Sequence, residues 1–113
     1  MARVNSVYRL LGLARRAGAV APGTAAVRRA IQGGQAHLVL LAGDASDVQM
    51  EKIHKSLRAT PIPRARLGDR ATLGAAIGLS PISAVAVTNA PLADQVLAEL
   101  ASVGVAGAVG AEG

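Results

Sequence analysis

At 113 residues with a formal net charge of +5, the chain has room for one domain with a modest core and a balance that favours a polyanionic partner. It has no cysteine, Phe or Trp, and Tyr8 is its one aromatic residue. These absences exclude a disulfide framework, a thiol nucleophile, a thiolate metal site and the aromatic platforms on which single-strand readers stack bases.

The positive charge is unevenly placed. Residues 1–43 carry Arg3, Arg9, Arg15, Arg16, Arg28 and Arg29, and the first carboxylate of the chain is Asp44. A second basic stretch holds Lys52, Lys55, Arg58, Arg64, Arg66 and Arg70, relieved by Glu51 and Asp69. Such asymmetry is the footprint expected of a polyanionic partner, although solvated basic faces produce the same composition.

In chain order, Asn5 or Ser6 is expected to cap a first helix whose apolar positions include Val7, Leu10, Leu11 and Ala14, ending near Gly18. Its charges continue throughout and no long apolar run follows, so the stretch reads as part of the domain and not as a signal peptide. Ala19 to Pro22 is a short extended piece. GTAAVRRAIQGG, Gly23 to Gly34, forms a second helix closed by its glycine pair. HLVLLAG, His37 to Gly43, is an aliphatic run that fits a strand buried on both faces.

Ser46 and Gln49 make a capping box for a third helix to about Arg58. The prolines of TPIPRARL place an extended segment near a sheet edge. Asp69 caps a short helix closed by Gly78, ISAVAV (Ile82 to Val87) is a further strand, and Asn89 starts a last helix to about Ala101. The uncharged span Ala71 to Ala93 is interrupted by Pro81 and Pro91, so it reads as helix, turn and strand and not as a membrane segment. This alternation predicts an α/β fold: a three-layer α/β/α sandwich around a mixed β-sheet of about four strands. Residues 1–101 form one domain, and residues 102–113 form a flexible Gly/Ala/Val tail.

Catalytic patterns are weak. Asp44 and Asp47 follow a buried strand, where phosphotransfer enzymes place acids, but helix capping explains them better. GLSPIS lacks the second glycine of a nucleophile elbow, and neither His37 nor His54 has a partner at metal-ligand spacing. No enzyme activity, metal or cofactor is expected. The start of the second helix is a stronger candidate, because unpaired amides and the helix dipole favour anions there. Gly23 leaves that end open, with Arg28 and Arg29 about one turn inside; a plain turn glycine and solvated arginines are the competing reading.

LLGLARRAG, the pattern GxxxVxxAIxxGxAxLVLLAxDAS, and LGxAIGxSPxxxVAV occur here in that order. Together they resemble the ribosomal L-seven-Ae/L-thirty-e superfamily of kink-turn RNA-binding proteins, most of all its bacterial YlxQ-type branch, over about Val4 to Leu100. The resemblance implies a non-enzymatic, cytoplasmic, monomeric protein that binds structured RNA, ribosomal or otherwise non-coding, at one end of the sandwich. It places Gly23, Thr24, Ala25, Ala26, Arg28 and Arg29 at the RNA, with Ser46 and Met50 from the next loop and helix. Ser80, Pro81 and Ile82 come from the Leu79–Ser83 loop, and Arg16 and Arg70 are less close carry-overs. Kink-turn readers carry Asn and Glu where this chain has Ala25 and Ala26, and Lys where it has Arg29. The side chains that would read sheared G·A pairs are therefore missing, and a ribosome-associated or protein-interaction module on the same scaffold stands as the alternative.

Overall fold

The computed structural model describes residues 2–104. The chain runs α1 (Ala2–Arg16), β1 (Val20–Pro22), α2 (Thr24–Gln32), β2 (Leu38–Leu41), α3 (Asp47–Leu57), β3 (Arg64–Arg66), α4 (Arg70–Ala76), β4 (Ala84–Val87) and α5 (Ala90–Ser102). Of the expected tail from residue 102 onward, Ser102 closes α5, and the part from residue 105 lies outside the described residues.

The four strands lie in the order β1-β4-β2-β3, with β4 antiparallel to both neighbours and β2 parallel to β3. The two central strands are buried at every position, as their unbroken aliphatic sequences require. Alternation sends Leu38, Leu40, Val85 and Val87 to one face, where they pack with Val7 and Leu11 of α1, Leu73 of α4 and Val96 and Leu100 of α5. Val39, Leu41, Ala84 and Ala86 face the other way, against Val27, Ala30 and Ile31 of α2 and Ile53 and Leu57 of α3. The result is the expected α/β/α sandwich. Each fully buried leucine of the first face contributes about 1.5–3 kcal/mol of transfer free energy. Among the described residues no helix is long and apolar enough to cross a membrane.

The local start signals of three helices form as read. Ser46 Oγ accepts from the Gln49 amide at 3.2 Å, Asp69 Oδ1 from Thr72 at 2.7 Å, and Asn89 Oδ1 from Leu92 at 2.9 Å. The expected cap of the first helix does not form, because α1 already begins at Ala2 and encloses Asn5 and Ser6. Packing of its Val7–Leu11–Ala14 stripe outweighs the weak preference of Asn and Ser for a helix end. Its other end closes at Gly18, whose φ of 70° allows the Ala19 amide to reach back to the Ala14 carbonyl at 2.8 Å.

A type II turn follows α3. Arg58 has φ −57° and ψ 139°, Ala59 has φ 61°, and the Thr60 amide donates to the Leu57 carbonyl at 3.1 Å. The left-handed conformation costs an alanine about 1–2 kcal/mol, part of which a glycine returns through its freer unfolded chain. Ala59→Gly is therefore expected to raise stability by about 0.5–1 kcal/mol, read from the urea midpoint. An unchanged or lower midpoint would show that the turn carries no such strain.

Candidate nucleic-acid interface

Strands β1, β2 and β3 all run toward one end of the sandwich, and β4 starts there. Four short backbone links gather the connecting segments at that end. The Gly23 amide donates to the Ala84 carbonyl at 2.8 Å, Ala42 to Ser83 at 2.8 Å, Gly43 to Gly68 at 2.8 Å, and Ile82 to Arg70 at 3.2 Å. Segments distant in sequence thus meet at one surface: the start of α2, the loop into α3, the start of α4 and the Leu79–Ser83 loop.

Gly23 is the N-cap of α2, with φ 89° and ψ 158°. A side chain there would meet no heavy atom within 4 Å, so backbone conformation, not crowding, asks for glycine. No side chain caps the helix, and the first-turn amides of Thr24, Ala25 and Ala26 have no intrahelical acceptor. Ala25 is exposed, while Thr24 and Ala26 are half-buried. This end can accept an anion through its amides and dipole, while Ala25 and Ala26 bring it no polar base reader.

The loop after β2 is tied to α4 by Asp44. One carboxylate oxygen accepts the Arg70 amide at 2.8 Å, and the other lies 3.6 Å from Arg70 Nε. Asp44 therefore serves the first turn of α4, in place of the catalytic role its position after a buried strand allowed. Ser46 is exposed, with its hydroxyl engaged in capping α3. Met50 is buried in the second core, which places its thioether away from the surface the resemblance assigned it to.

Asp69 stands beside this loop. The Thr72 amide holds its carboxyl below the ordinary carboxylate range. The hydroxyl of Tyr8 lies against Gly68, and partial burial, aided by the Asp69 charge, pushes that phenol up.

The Leu79–Ser83 loop folds back over α4. The Leu79 amide donates to the Gly74 carbonyl at 2.9 Å, and the Ser80 carbonyl fills the space that a side chain at position 74 would need. Leu79, Ser80 and Pro81 are exposed, whereas Ile82 is half-buried against the first core. The loop thus presents Ser80 and Pro81 outward and commits part of Ile82 to packing.

The arginines divide into structural and open groups. Arg28 Nε donates to Ser56 Oγ at 3.2 Å and joins α2 to α3. Arg15 donates to the Ile77 carbonyl at 3.0 Å, and Arg64 holds the carbonyls of Ile62 and Thr60 at 2.8 and 3.3 Å. Arg16 lies at the end of α1 beside Gly12, Ala76 and Gly78, lining a cavity of about 220 Å³. Since β1 leads from there toward Gly23, Arg16 is not brought to the Gly23 end. Arg29 is exposed and overlooks a cleft of about 510 Å³ between β1 and α2. That cleft joins residues from four segments and left no mark in sequence spacing.

An open α2 start beside a β4-anchored loop, on a five-helix, four-strand sandwich, agrees with a match over residues 5–97 to the Ribosomal protein L7Ae/L30e/S12e/Gadd45 family; the chain belongs to that family. It is 36% identical over 93 residues to the RNA-binding protein YlxQ of Bacillus subtilis, a match that spans 82% of this chain and 93% of the relative. A solved protein of unknown function from Bacillus halodurans superposes with a TM-score of 0.78 at 33% identity, over 84% of this chain and 96% of that one. The Giardia lamblia 15.5kD RNA binding protein shares the fold, with a TM-score of 0.73 at 17% identity and 91% of each chain covered.

Two outcomes test this construction. Because the folded Asp69 carboxyl titrates below its unfolded value, its stabilising contribution is complete above the ordinary carboxylate range and is lost as pH falls through the folded value. Asp69→Asn keeps an acceptor for Thr72 but removes the titration, so its melting temperature should fall less steeply on acidification than that of the parent. Identical slopes would show that the charge contributes nothing. Gly74→Ala should cost about 1–3 kcal/mol by driving the new methyl into the backbone of the loop, with amide shifts concentrated at Leu79–Ser83. A gain in stability, the usual result of replacing a helical glycine, would mean that the loop is free to move away.

Proposed function

We propose that this chain is a non-enzymatic, ribosomal-protein-like RNA-binding protein that holds structured RNA, bent as in a kink-turn, at the Gly23 end of the sandwich. One observation carries the reading: the uncapped start of α2 is tied to Ala84, the first residue of β4, and the exposed Ser80–Pro81 loop leads into that same strand end. The relatives support it, since the Bacillus subtilis protein and the Giardia lamblia protein are both described as RNA-binding. The absence of any carboxylate before Asp44 keeps the α2 side of this surface positive.

In this reading the amides of Thr24, Ala25 and Ala26 receive a phosphate or a base edge, Arg29 holds the backbone as it leaves, and the Leu79–Ser83 loop packs against a displaced nucleotide. Arg70, half neutralised by Asp44, adds charge at the rim. Recognition rests on the shape of the bend and on backbone contacts, because Ala25 and Ala26 offer no side-chain hydrogen bonds. The protein acts as a cytoplasmic monomer on ribosomal or other non-coding RNA, in the service of translation.

The exposed methyl of Ala25 favours a second reading, a ribosome-associated or protein-interaction module that uses the same end without kink-specific recognition. Filter binding with a kink-turn RNA and a straight duplex at two salt concentrations separates the two. The first reading expects tighter binding to the kink-turn RNA at both concentrations, with Arg29→Glu weakening it at least about tenfold through loss and reversal of a phosphate contact. Equal, weak and steeply salt-dependent binding to both RNAs would overturn kink-specific recognition. Ribosome co-sedimentation that survives Arg29→Glu would favour the second reading.

A further inference from the structure

The cleft beneath Arg29 continues from the interface described above, sharing Ala26 and Arg29 with it, and its far side has no role there. Its floor is made of small apolar side chains on the α2 face of the sheet, with Ala21 from β1 and Ala26 and Ala30 from α2. Its polar rim is the Arg29 guanidinium, the Gln35 amide and the Thr88 hydroxyl. At about 510 Å³ it is large enough for one nucleotide. The ion pairs among the described residues are Glu51–Arg58 and Asp44–Arg70, so Arg29 faces the cleft without an acidic partner.

The backbone of β1 adds to this rim. The Gly23 amide donates to Ala84 and the Thr88 amide to Ala19, so residues 19, 21 and 23 turn their polar groups toward β4. Val20 and Pro22 therefore present theirs to the open edge, beside the cleft. The edge offers the N–H and C=O of Val20 but from Pro22 only a carbonyl. A peptide adding itself as a strand would need alternating donors and acceptors, and the proline interrupts them. One base or ribose edge needs only a single donor and acceptor.

We propose that this cleft seats an unpaired nucleotide of the bound RNA: its phosphate on Arg29, its nucleoside on the floor of Ala21, Ala26 and Ala30, and its polar edge on the Val20 backbone, Gln35 and Thr88. The proposal rests on the RNA-binding reading and extends it, because β1 leads from the cleft directly to Gly23. RNA held at the α2 start and continuing past Arg29 as single strand enters the cleft without leaving the protein surface. Loss of stacking aromatics is met here by confinement between a strand edge and a helix.

The test uses the full chain and a kink-turn RNA, either blunt or carrying three unpaired uridines at one strand end or the other. Fluorescence anisotropy should show one extended RNA binding about tenfold more tightly than the blunt RNA, the worth of one or two neutral hydrogen bonds at Gln35, Thr88 and the Val20 backbone. Gln35→Ala, an exposed site, and Thr88→Leu, which fills the cleft, should each reduce that advantage while leaving blunt-RNA affinity unchanged. Equal affinity of the parent for the blunt and both extended RNAs overturns the cleft proposal alone. Failure of the blunt RNA to bind instead overturns the RNA-binding reading on which it rests. Uridine monophosphate in a separate arm distinguishes the source of the nucleotide: saturable shifts of the Gln35 and Thr88 amides at micromolar concentrations would make the cleft a free-nucleotide site and overturn its assignment to RNA.

Discussion

The candidate binding end depends on where β4 enters the sheet. At this point the Ser83 carbonyl holds Ala42 at the end of β2, and the next carbonyl, that of Ala84, holds Gly23 at the start of α2. Two consecutive peptide groups thus set the distance between the α2 start and the loop into α3. A slip of one residue in β4 would also exchange its valines for its alanines between the two cores, so side-chain packing enforces the register that the site requires. The candidate site inherits its rigidity from this demand, in a chain that has no cysteine and a single aromatic residue.

The same economy governs charge. A basic chain invites the view that every arginine awaits a polyanion, but Arg15, Arg28 and Arg64 spend their donors on carbonyls or a hydroxyl of the protein itself. These contacts fasten α1 to α4, α2 to α3, and the segment before β3 to itself. Asp44 draws Arg70 into a local pair and at the same time satisfies an amide of the α4 start. On α2 itself, Arg29 is exposed and has no ion pair among the described residues. Net charge therefore overstates the electrostatic strength of the interface, and placement matters more than number.

Much of the fold was legible in the sequence because its signals are local. Ser46, Asp69 and Asn89 each cap with a residue three positions on, and the continuous runs of β2 and β4 demand burial on both faces. What escaped depends on elements meeting across space. The start of α1 is set by the core it joins, which no property of Asn5 or Ser6 reports. Met50 fits either a surface or a core at helical spacing, and only the position of α3 over the sheet puts it inside. Arg28 finds Ser56, and the Ser80 carbonyl finds Gly74, across gaps that no short motif spans. The glycine within the α4 pattern was the one available hint that another backbone passes close by.

The pair Ala25 and Ala26 raises the question of how a family surface works when its polar readers are gone. A side chain that reads a base gains discrimination but must be desolvated and held in one rotamer. Alanine avoids both costs and lets the helix backbone approach its partner more closely. In the proposed reading, selectivity moves from individual hydrogen bonds to the fit between a rigid protein end and a bent RNA, where the energy of bending the RNA carries the discrimination. On that reading the surface would favour RNAs already bent in the free state, since every molecule that must be bent on binding pays that energy from a smaller set of contacts. Contacts beyond the mouth gain weight for the same reason, and Arg29, placed where α2 meets the open edge of β1, is positioned to provide them.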